Sequence, residues 1–429
     1  MTRAVLIAAP HSGSGKTTLT LGLLRALSRR GHAVRGAKSG PDYIDPRFHE
    51  AACGQTCFNL DAWAMTPNRL TALAHSGSAD TLVIEGAMGL FDGAPSLDPA
   101  QDGKGASADL ARLFDIPVIL VVDSARMAQS IAATVAGFVA HDPRVRIAGV
   151  ILNKVGSLRH RDMLERALAL IDVPVLGAVP RSADIVHPDR HLGLVQAQER
   201  TDLESYLNTV ADSVAAHVDL DTILALTQDV EAASPHKPAP PPAQSIAVAQ
   251  DAAFAFAYPH LLADWHAQGA EISFFSPLAD QAPAPMALTY LPGGYPELYA
   301  GQLSGNHHFM QGLREAAARR AVYGECGGYM VLGDGMIDAD GNRHKMAGLL
   351  GLETSFETRK LHLGYRAVTA QTGPFAGSWA AHEFHYATTL KASGSALFTA
   401  KDAMNQELPE AGLINGSVSG SFMHLIDRA

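Results

Sequence analysis

The stretch AVLIAAPHSGSGKTTLTLGLLRALSRR, residues 4–30, decides the fold of the first half of the chain. Its apolar opening has the composition of a strand buried on both faces, and its second half has the spacing of an amphipathic helix. The loop between them is rich in glycine and ends in Gly-Lys-Thr, an arrangement that directs backbone N–H groups and a helix N-terminus at a phosphate. We therefore predict a nucleotide site at Gly13, Ser14, Gly15, Lys16, Thr17 and Thr18.

This loop departs from the standard phosphate-loop pattern at one position, because Pro10 stands where that pattern begins with glycine. The order of strand, loop and helix still favours a nucleotide site, in which Lys16 reaches the terminal phosphates and the Thr17 hydroxyl ligates Mg²⁺. The alternative interpretation is a glycine-rich turn with a surface lysine.

Short apolar runs alternate with helical patterns along the rest of the chain. Runs that are apolar at almost every position suit parallel strands covered on both faces, so we predict an α/β fold with a doubly wound parallel sheet. A second α/β pattern begins near residue 245. The runs are TLVIEG (81–86), PVILVVD (117–123), RIAGVILNKV (146–155) and VPVLGAVP (173–180), then SIAVAQDAAFAF (245–256), EISFFSP (271–277), ALTYLPGG (287–294) and RAVYGECGG (320–328).

A segment dense in proline and alanine separates the two patterns. This segment, AASPHKPAPPPAQ (232–244), has no periodicity, and proline removes backbone donors and favours extended chain. We predict a first domain at 1–231, a semi-rigid linker at 232–244 and a second domain at 245–429. Two domains also suit the length of 429 residues.

Composition restricts the class of function. The net charge of −10 disfavours nucleic-acid binding through phosphate neutralisation, and three cysteines are too few for a disulfide framework. Cys53 and Cys57 form C-x₃-C without a matching second pair, so packing is favoured over a metal site. The first apolar run leads directly into the phosphate loop, so its removal as a signal peptide would destroy that loop. With no run of about 18 apolar residues, we expect a cytoplasmic protein without a membrane or nucleic-acid partner.

Carboxylates follow the predicted strands in two stretches, KSGPDYIDP (38–46) and VIEGAMGLFDG (83–93). Ligands collect at the carboxyl ends of strands in open α/β sheets, so we predict that these carboxylates face the phosphates and supply oxygens to Mg²⁺. The alternative for the aspartates is a role in local turns beside proline or glycine. A carboxylate that ends an apolar strand needs a partner. The candidates are Asp42, Asp45, Glu85 and Asp92, with Asp45 and Glu85 placed at the metal beside Thr17.

The run ILNKV (151–155) ends another predicted strand with an amide and a lysine. Asn153 is a candidate for reading the edge of a nucleobase. Polar capping of the strand end explains the same residues equally well, so both interpretations stay open.

GECGG (324–328) places Cys326 between glycines at the end of an apolar run. G-x-C-x-G is the thiol form of the nucleophile elbow, a sharp strand-to-helix turn. We predict an exposed Cys326 thiol whose pKa is lowered by the helix N-terminus beneath it. Backbone N–H groups of Gly327 and of Gly294 or Gly293 would face the oxyanion. The alternative is a small buried packing residue.

A thiol nucleophile needs a base, and His424 in GSVSGSFMHLID (416–427) is the predicted one. Spacing alone leaves other histidines in competition with it. These competitors are His307, His308, His382 and His385.

Together these motifs resemble the family of cobyrinic and hydrogenobyrinic acid a,c-diamide synthases over essentially the whole chain. The resemblance implies an N-terminal domain similar to dethiobiotin synthetase and a C-terminal class I glutamine amidotransferase domain of the cobyrinic type. It rests on SGSGKTT (12–18), KSGPDYIDP (38–46), VIEGAMGLFDG (83–93), LPGGYPELY (291–299), YGECGGYMVLG (323–333), LGYR (363–366), HEFHY (382–386) and GSFMH (420–424).

The resemblance further implies a carbon–nitrogen ligase of cobalamin biosynthesis that uses Mg²⁺, ATP, glutamine and a corrinoid dicarboxylate. Cys326 is then the nucleophile and His424 its partner. Ordinary class I members carry a glutamate two residues after this histidine; here that residue is Ile426, so the orienting partner of His424 stays open. Tyr43 joins Asp42 and Asp92 as candidates for substrate binding or phosphoryl transfer. A homodimer also stays open.

Three alternatives compete with this interpretation. Cobyric acid synthases share both domain types but amidate other corrin side chains, and GPDYIDP and EGAMGLFDG fit the diamide synthases better. Partition-type ATPases carry a second lysine early in the phosphate loop, where this chain has Pro10, His11 and Ser12, and they lack the cysteine domain. A thiol hydrolase with a purely structural ATP domain conflicts with the intact Gly15-Lys16-Thr17. Whether the corrin contains cobalt stays open.

Overall fold

The computed structural model describes residues 2–100, 102–183, 185, 189–190, 193–194, 196–232 and 236–429. The chain divides into two compact units, residues 1–236 and 237–429. Within the predicted linker, residues 233–235 lie outside the described residues, and residues 236–244 contain neither helix nor strand.

The first unit contains a large sheet with helices packed against it. Its strands are β1 (Arg3–Ala8), β2 (Val34–Ser39), β3 (Phe58–Leu60), β4 (Thr81–Glu85), β5 (Val118–Asp123), β6 (Ile147–Val155), β7 (Val175–Pro180), β8 (Asp189–Arg190), β9 (Gly193–Leu194) and β10 (Gln228–Asp229). Its helices are α1 (Lys16–Arg29), α2 (Asp45–Cys53), α3 (Pro67–His75), α4 (Ser107–Phe114), α5 (Ser130–His141), α6 (Leu158–Leu168), α7 (Leu203–His217) and α8 (Leu220–Leu226).

The sheet has the strand order β3-β2-β4-β1-β5-β6-β7, and these neighbours are parallel. The short β10 pairs with β1 in the antiparallel sense. Every residue of β1 after Arg3 is buried, and because successive side chains point to opposite faces, both faces of the sheet are covered. The predicted doubly wound sheet is confirmed. The apolar pattern did not predict β2, because this fully buried strand contains Arg35 and Lys38.

The second unit combines a parallel sheet with antiparallel strands. Its strands are β11 (Ser245–Ala249), β12 (Glu271–Phe275), β13 (Leu288–Leu291), β14 (Ala321–Glu325), β15 (Gly335–Ile337), β16 (Arg343–Lys345), β17 (Gly351–Ser355), β18 (His362–Ala370), β19 (Gly377–His385), β20 (Thr388–Ser393), β21 (Phe398–Asp402), β22 (Glu407–Ala411), β23 (Leu413–Asn415), β24 (Val418–Ser421) and β25 (Met423–Arg428). Its helices are α9 (Pro259–Ala267), α10 (Ala300–Gly305), α11 (His307–Ala317) and α12 (Gly327–Leu332).

The central sheet of this unit has the order β12-β11-β13-β14-β24-β23, parallel except for the last pair. A five-stranded antiparallel sheet, β22-β21-β18-β19-β25, carries the C-terminal strand. A further sheet has the order β16-β15-β17-β20. The predicted α/β class is confirmed. Strands such as β18, β20 and β22 were not predicted, because most of their residues are half-buried or exposed and they lack continuous apolar runs.

Candidate active sites in the two units

The phosphate loop joins β1 to α1 and is shaped by two glycines. Gly13 has a φ of 79° and Gly15 a φ of 91°, left-handed values that favour glycine. A Cβ atom on Gly15 would lie 2.2 Å from Asn153 Nδ2, so a side chain has no room there. Ser14 is buried, and its hydroxyl donates to His11 O over 2.9 Å. The loop is therefore closed on itself at the start of α1.

Lys16 begins α1 and directs its side chain over the loop. Its Nζ donates to Met88 O over 2.5 Å and to His11 O over 3.4 Å. Burial lowers the pKa of Lys16 to about 8, although the negative charge of Glu85 opposes the shift. The ammonium is therefore better stabilised once an anion such as a phosphate group lies beside it.

Thr17, Asp45 and Glu85 bring oxygen atoms together beside the loop. Thr17 Oγ1 donates to Glu85 Oε1 over 2.6 Å and lies 3.4 Å from Asp45 Oδ2. Between the two carboxylates lies Lys38 Nζ, 2.6 Å from Asp45 Oδ2 and 2.8 Å from Glu85 Oε1. The buried Asp45 Oδ1 makes no hydrogen bond among the described residues. The structure thus brings the three predicted metal ligands together.

Lys38 and His49, which sequence analysis did not identify, hold the Glu85 carboxylate. His49 Nε2 lies 2.6 Å from Glu85 Oε2, and both side chains are fully buried. Burial alone would raise the pKa of Glu85, but Lys38 and His49 outweigh it and keep that pKa below its usual range. Burial also opposes the charge on Lys38, yet Asp45 and Glu85 raise its pKa above the ordinary value. The sequence offers a clue to each residue. Lys38 is a charged residue inside a buried strand, and His49 lies one helical turn after Asp45 in α2.

Asp42 and Tyr43 lie at the start of α2. Asp42 Oδ1 accepts the N–H groups of Ile44 over 2.8 Å and Asp45 over 3.1 Å. Loss of solvation, followed by repulsion from Asp45, raises the pKa of Asp42 to about 7. Tyr43 is buried. Asp42 thus organises the helix start as a turn former, while its substrate role stays a prediction.

Asp92 and Thr18 make contacts on either side of Lys16. Asp92 Oδ2 accepts the Gly89 N–H over 2.8 Å, the hydrogen bond of a local turn, and its charge also attracts Lys16. The Thr18 side chain lies near Tyr206 of α7. Both residues border the phosphate loop, and their roles in catalysis stay predictions.

Asn153 and Lys154 lie near the C-terminal end of β6 and contact the phosphate loop. Asn153 Nδ2 donates to Ser14 O over 2.9 Å, and its Oδ1 accepts the Lys154 N–H over 2.9 Å. Lys154 Nζ donates to Gly13 O over 3.0 Å and pairs with Asp123 Oδ2 over 2.7 Å. Both ends of the Asn153 amide are therefore engaged within the protein, where they support the loop. Its role as a nucleobase reader stays a prediction.

Cys326 forms the predicted strand-to-helix turn between β14 and α12, with a φ of 48°. A positive φ is costly for a residue with a side chain and is typical of a nucleophile elbow. However, the side chain is only 3% exposed, and burial, followed by Glu297 and Glu325, raises the thiol pKa well above its usual value. The prediction of an exposed thiol with a lowered pKa is therefore wrong. The favourable N–H of Gly327 does not offset burial and two carboxylates.

His424 on β25 faces Cys326 across Gly293. A Cβ atom on Gly293 would lie 2.3 Å from His424 Cε1, 3.1 Å from His424 Nε2 and 3.2 Å from Cys326 Cβ. The imidazole is fully buried. The structure thus brings the predicted nucleophile and base together, and the glycine leaves the space between them clear.

Glu325, the last residue of β14, is a site residue that sequence analysis missed. Its Oε1 lies 3.4 Å from His424 Nδ1 and accepts the Tyr290 hydroxyl over 3.1 Å. Its Oε2 accepts the Leu425 N–H over 3.2 Å. The sequence signal is the one that pointed to Glu85, a carboxylate at the end of an apolar strand.

Gly294 and Gly327, the predicted oxyanion donors, lie next to each other. The Gly327 N–H faces the Cys326 sulfur. A Cβ atom on Gly327 would lie 3.1 Å from Gly294 N and 2.7 Å from Pro296 Cδ, so the backbone segments are in close contact. Their role in binding an oxyanion stays a prediction.

The competing histidines lie in other surroundings. His382 is the cross-strand neighbour of His424 in the β19–β25 pair, and burial, followed by the charge of His424, lowers its pKa to about 3. His307 and His308 are exposed at the start of α11, where His308 Nδ1 lies 3.0 Å from Asp280 O. His382 is therefore neutral at physiological pH.

His385 belongs to a group with His362 and Glu383, whose potential ligand atoms lie within 4.8 Å of one another. The rings of His362 and His385 stack in parallel with centroids 4.5 Å apart. Arg366 binds the Glu383 carboxylate over 2.8 Å, and His385 Nε2 lies 3.2 Å from it. Ion pairing and ring stacking account for this group without a metal ion, because the guanidinium already neutralises the carboxylate.

Comparison with known proteins matches each unit to a domain family. The CobQ/CobB/MinD/ParA nucleotide binding domain matches residues 5–195, and the CobB/CobQ-like glutamine amidotransferase domain matches residues 245–428. The hydrogenobyrinate a,c-diamide synthases of Brucella anthropi and Rhodobacter capsulatus are 55% and 52% identical to this chain, over 99% of it and 98% of each relative. A solved glutamine amidotransferase is 14% identical over 42% of this chain and 89% of its own, with a TM-score of 0.30, and this weak similarity carries no argument.

A nucleotide-binding domain and a glutamine amidotransferase domain on one chain define a glutamine-dependent ligase. The extent of the identity to the two synthases makes the assignment more specific. The chain belongs to the hydrogenobyrinate a,c-diamide synthase family, and the predicted resemblance is confirmed. None of the helices among the described residues combines the length and apolar character needed to cross a membrane.

Proposed function

We propose that this protein amidates the a and c acetate carboxylates of hydrogenobyrinic acid, with ATP as energy source and glutamine as nitrogen source. The names and full-length identity of its relatives support the corrin substrate and a place in cobalamin biosynthesis. The structural observation that carries the proposal is the meeting of Cys326 and His424 at Gly293, on a chain that also holds a phosphate loop ending in Gly15-Lys16-Thr17.

The first unit makes a carboxylate reactive. A free carboxylate is a poor electrophile because it has no adequate leaving group. Transfer of the γ-phosphoryl group of ATP to a carboxylate oxygen gives an acyl phosphate and ADP. Ammonia then attacks the carbonyl carbon, loses a proton and displaces phosphate, which leaves the amide. Two such cycles give the diamide, and we assign Lys16 to the charge on the terminal phosphates.

A Mg²⁺ ion fits the donor set of Thr17, Asp45 and Glu85. Hydroxyl and carboxylate oxygens are the hard ligands that this ion prefers, and the buried Asp45 Oδ1 has no hydrogen bond among the described residues. When bound, the ion neutralises phosphate charge during transfer. Lys38 holds the two carboxylates together by compensating their charge.

The second unit supplies ammonia. Cys326 transfers its proton to His424 Nε2 and attacks the side-chain amide carbon of glutamine, while the N–H groups of Gly294 and Gly327 receive the negative oxygen. His424 returns the proton to the leaving nitrogen, ammonia departs, and water hydrolyses the γ-glutamyl thioester to glutamate and free thiol. The raised pKa of Cys326 makes this base necessary, because the protonated thiol is a poor nucleophile.

The test is Cys326→Ala, assayed with hydrogenobyrinic acid and with cobyrinic acid, each with glutamine or ammonia. We expect glutamine-dependent diamide formation to fall about 10³-fold or more, because the nucleophile is lost, while ammonia-dependent formation persists. Cys53→Ala is the matched thiol deletion in the other unit and should retain both activities. Equal loss with both nitrogen sources, or no loss, would contradict the role of Cys326. Turnover of the cobalt-bearing substrate alone would contradict the substrate assignment.

A further inference from the structure

We infer that Glu325 is the positioning residue of the glutamine site, where its carboxylate accepts the Nδ1–H of His424. The inference rests on the proposed function of that site. It supplies the orienting group that the sequence left open, because Ile426 stands where ordinary class I amidotransferases carry a glutamate. The carboxylate comes instead from the residue directly before the nucleophile.

Burial makes the partners of Glu325 necessary. Its side chain is 2% exposed and that of His424 is 0% exposed, so an ionised carboxylate here must be stabilised by protein donors. The Tyr290 hydroxyl and the Leu425 N–H supply two hydrogen bonds. His424 Nδ1 lies 3.4 Å from Oε1, at ion-pair distance rather than in a formed hydrogen bond. Burial, followed by the charge of Glu325, raises the pKa of Tyr290, which keeps this phenol a donor.

The carboxylate determines which imidazole nitrogen carries the proton. An ionised carboxylate only accepts hydrogen bonds, so its position 3.4 Å from Nδ1 favours the tautomer that carries the hydrogen on Nδ1. The lone pair of a neutral imidazole is then on Nε2, the nitrogen near Gly293 on the side of Cys326. Once Nε2 takes the thiol proton, the same carboxylate stabilises the imidazolium that forms.

Three strands fix this geometry. Glu325 ends β14, where it pairs in register with Ser421 of β24. Tyr290 lies on β13, the other neighbour of β14. The Leu425 N–H belongs to the residue after His424, so one carboxylate holds both the ring of His424 and the backbone that carries it.

The test compares Glu325→Gln in two backgrounds. A glutamine keeps the size of the side chain but removes its charge and no longer dictates the tautomer. In the parent we expect glutaminase kcat to fall roughly 10²–10⁴-fold, with KM for glutamine changed less than about threefold. In the His424→Ala background we expect a further change below about threefold, because Glu325 acts through the missing ring. Glu353→Gln, which removes a paired carboxylate from β17, is the matched control and should retain glutaminase activity.

The two backgrounds separate positioning from folding. Loss of folded protein would reduce the rate by the same factor in both, and that outcome would overturn the proposal, as would a parent kcat within about threefold of normal. As a second measurement, ¹⁵N NMR of labelled histidines should show His424 with the proton on Nδ1 in the parent and a tautomer mixture in Glu325→Gln. An unchanged tautomer would also overturn it. Failure of the unmodified enzyme to form diamide from either nitrogen source would contradict the proposed function instead.

Discussion

The two sites treat buried charge in opposite ways. In the first unit, Lys38, Asp45 and Glu85 are buried as a compensated set of charges that exists before any ligand binds. In the second unit, Cys326, the proposed nucleophile, is buried, and burial raises its pKa and so favours the neutral thiol. Phosphoryl transfer needs fixed charges that point at the phosphate groups. A cysteine that was already ionised before substrate bound would undergo side reactions such as oxidation. The first site is therefore preformed, and in the proposed mechanism the second site creates its charge by proton transfer during the reaction.

Lys16→Met is the strongest way to break the preformed site. The substitution keeps the length of the side chain but removes the ammonium, so we expect ATP-dependent amidation to fall roughly 10²–10³-fold with glutamine and with ammonia alike. The measurement is diamide formation with each nitrogen source. Lys401→Met removes an exposed lysine and serves as control. A loss confined to the glutamine reaction would show that Lys16 does not serve the phosphoryl step.

Gly293→Ala should break the proton-transfer site alone. The new Cβ would lie 2.3 Å from His424 Cε1 and must displace the ring, and a misplacement of this kind costs about 10²-fold in rate. Glutamine-dependent activity should fall while ammonia-dependent activity persists. Gly305→Ala is the matched control, because a Cβ there meets no atom within 4 Å. Full glutamine-dependent activity in Gly293→Ala would mean that the ring position is not critical.

Glu85→Gln tests the buried charges of the first unit through the free energy of unfolding. Removing this charge leaves Lys38 and His49 buried without their shared carboxylate, and breaking a buried pair in this way costs about 3–5 kcal/mol. Urea unfolding of the variant, followed by circular dichroism, measures the loss. Glu204→Gln breaks the exposed pair with Arg25 and should cost about 1 kcal/mol or less. Equal effects of the two substitutions would show that burial adds nothing to the charge network.

The smallest expected effect concerns the resting thiol. Burial raises the pKa of Cys326, so less thiolate is present at pH 8 than in an ordinary thiol, and the thiolate fraction continues to increase above pH 9. Alkylation by iodoacetamide without substrate, followed by peptide mass spectrometry, should be about tenfold slower than for glutathione at pH 8. A rate already maximal at pH 7 would indicate a resting thiolate and remove the contrast between the sites.

Local patterns were sufficient for some of these residues and not for others. The phosphate loop and the elbow at Cys326 are each formed by one continuous stretch of sequence, and the glycines in each stretch indicate its backbone conformation directly. Lys38, His49 and Glu325 acquire their roles from partners on other strands and helices, which spacing along the chain does not reveal. The burial of Cys326 was missed for a related reason, because flanking glycines permit a turn but say nothing about which segments cover it.

The contact between Gly15 and Asn153 restricts which residues can replace either of them during evolution. A Cβ on residue 15 would overlap the amide that holds Ser14, so a larger residue at 15 has room only when residue 153 is shorter. The shorter side chain would in turn release the carbonyl it now binds. Because Gly15 also has a φ of 91°, a shorter residue 153 would remove the overlap but not the backbone strain, so position 15 is expected to stay glycine whichever residue stands at 153.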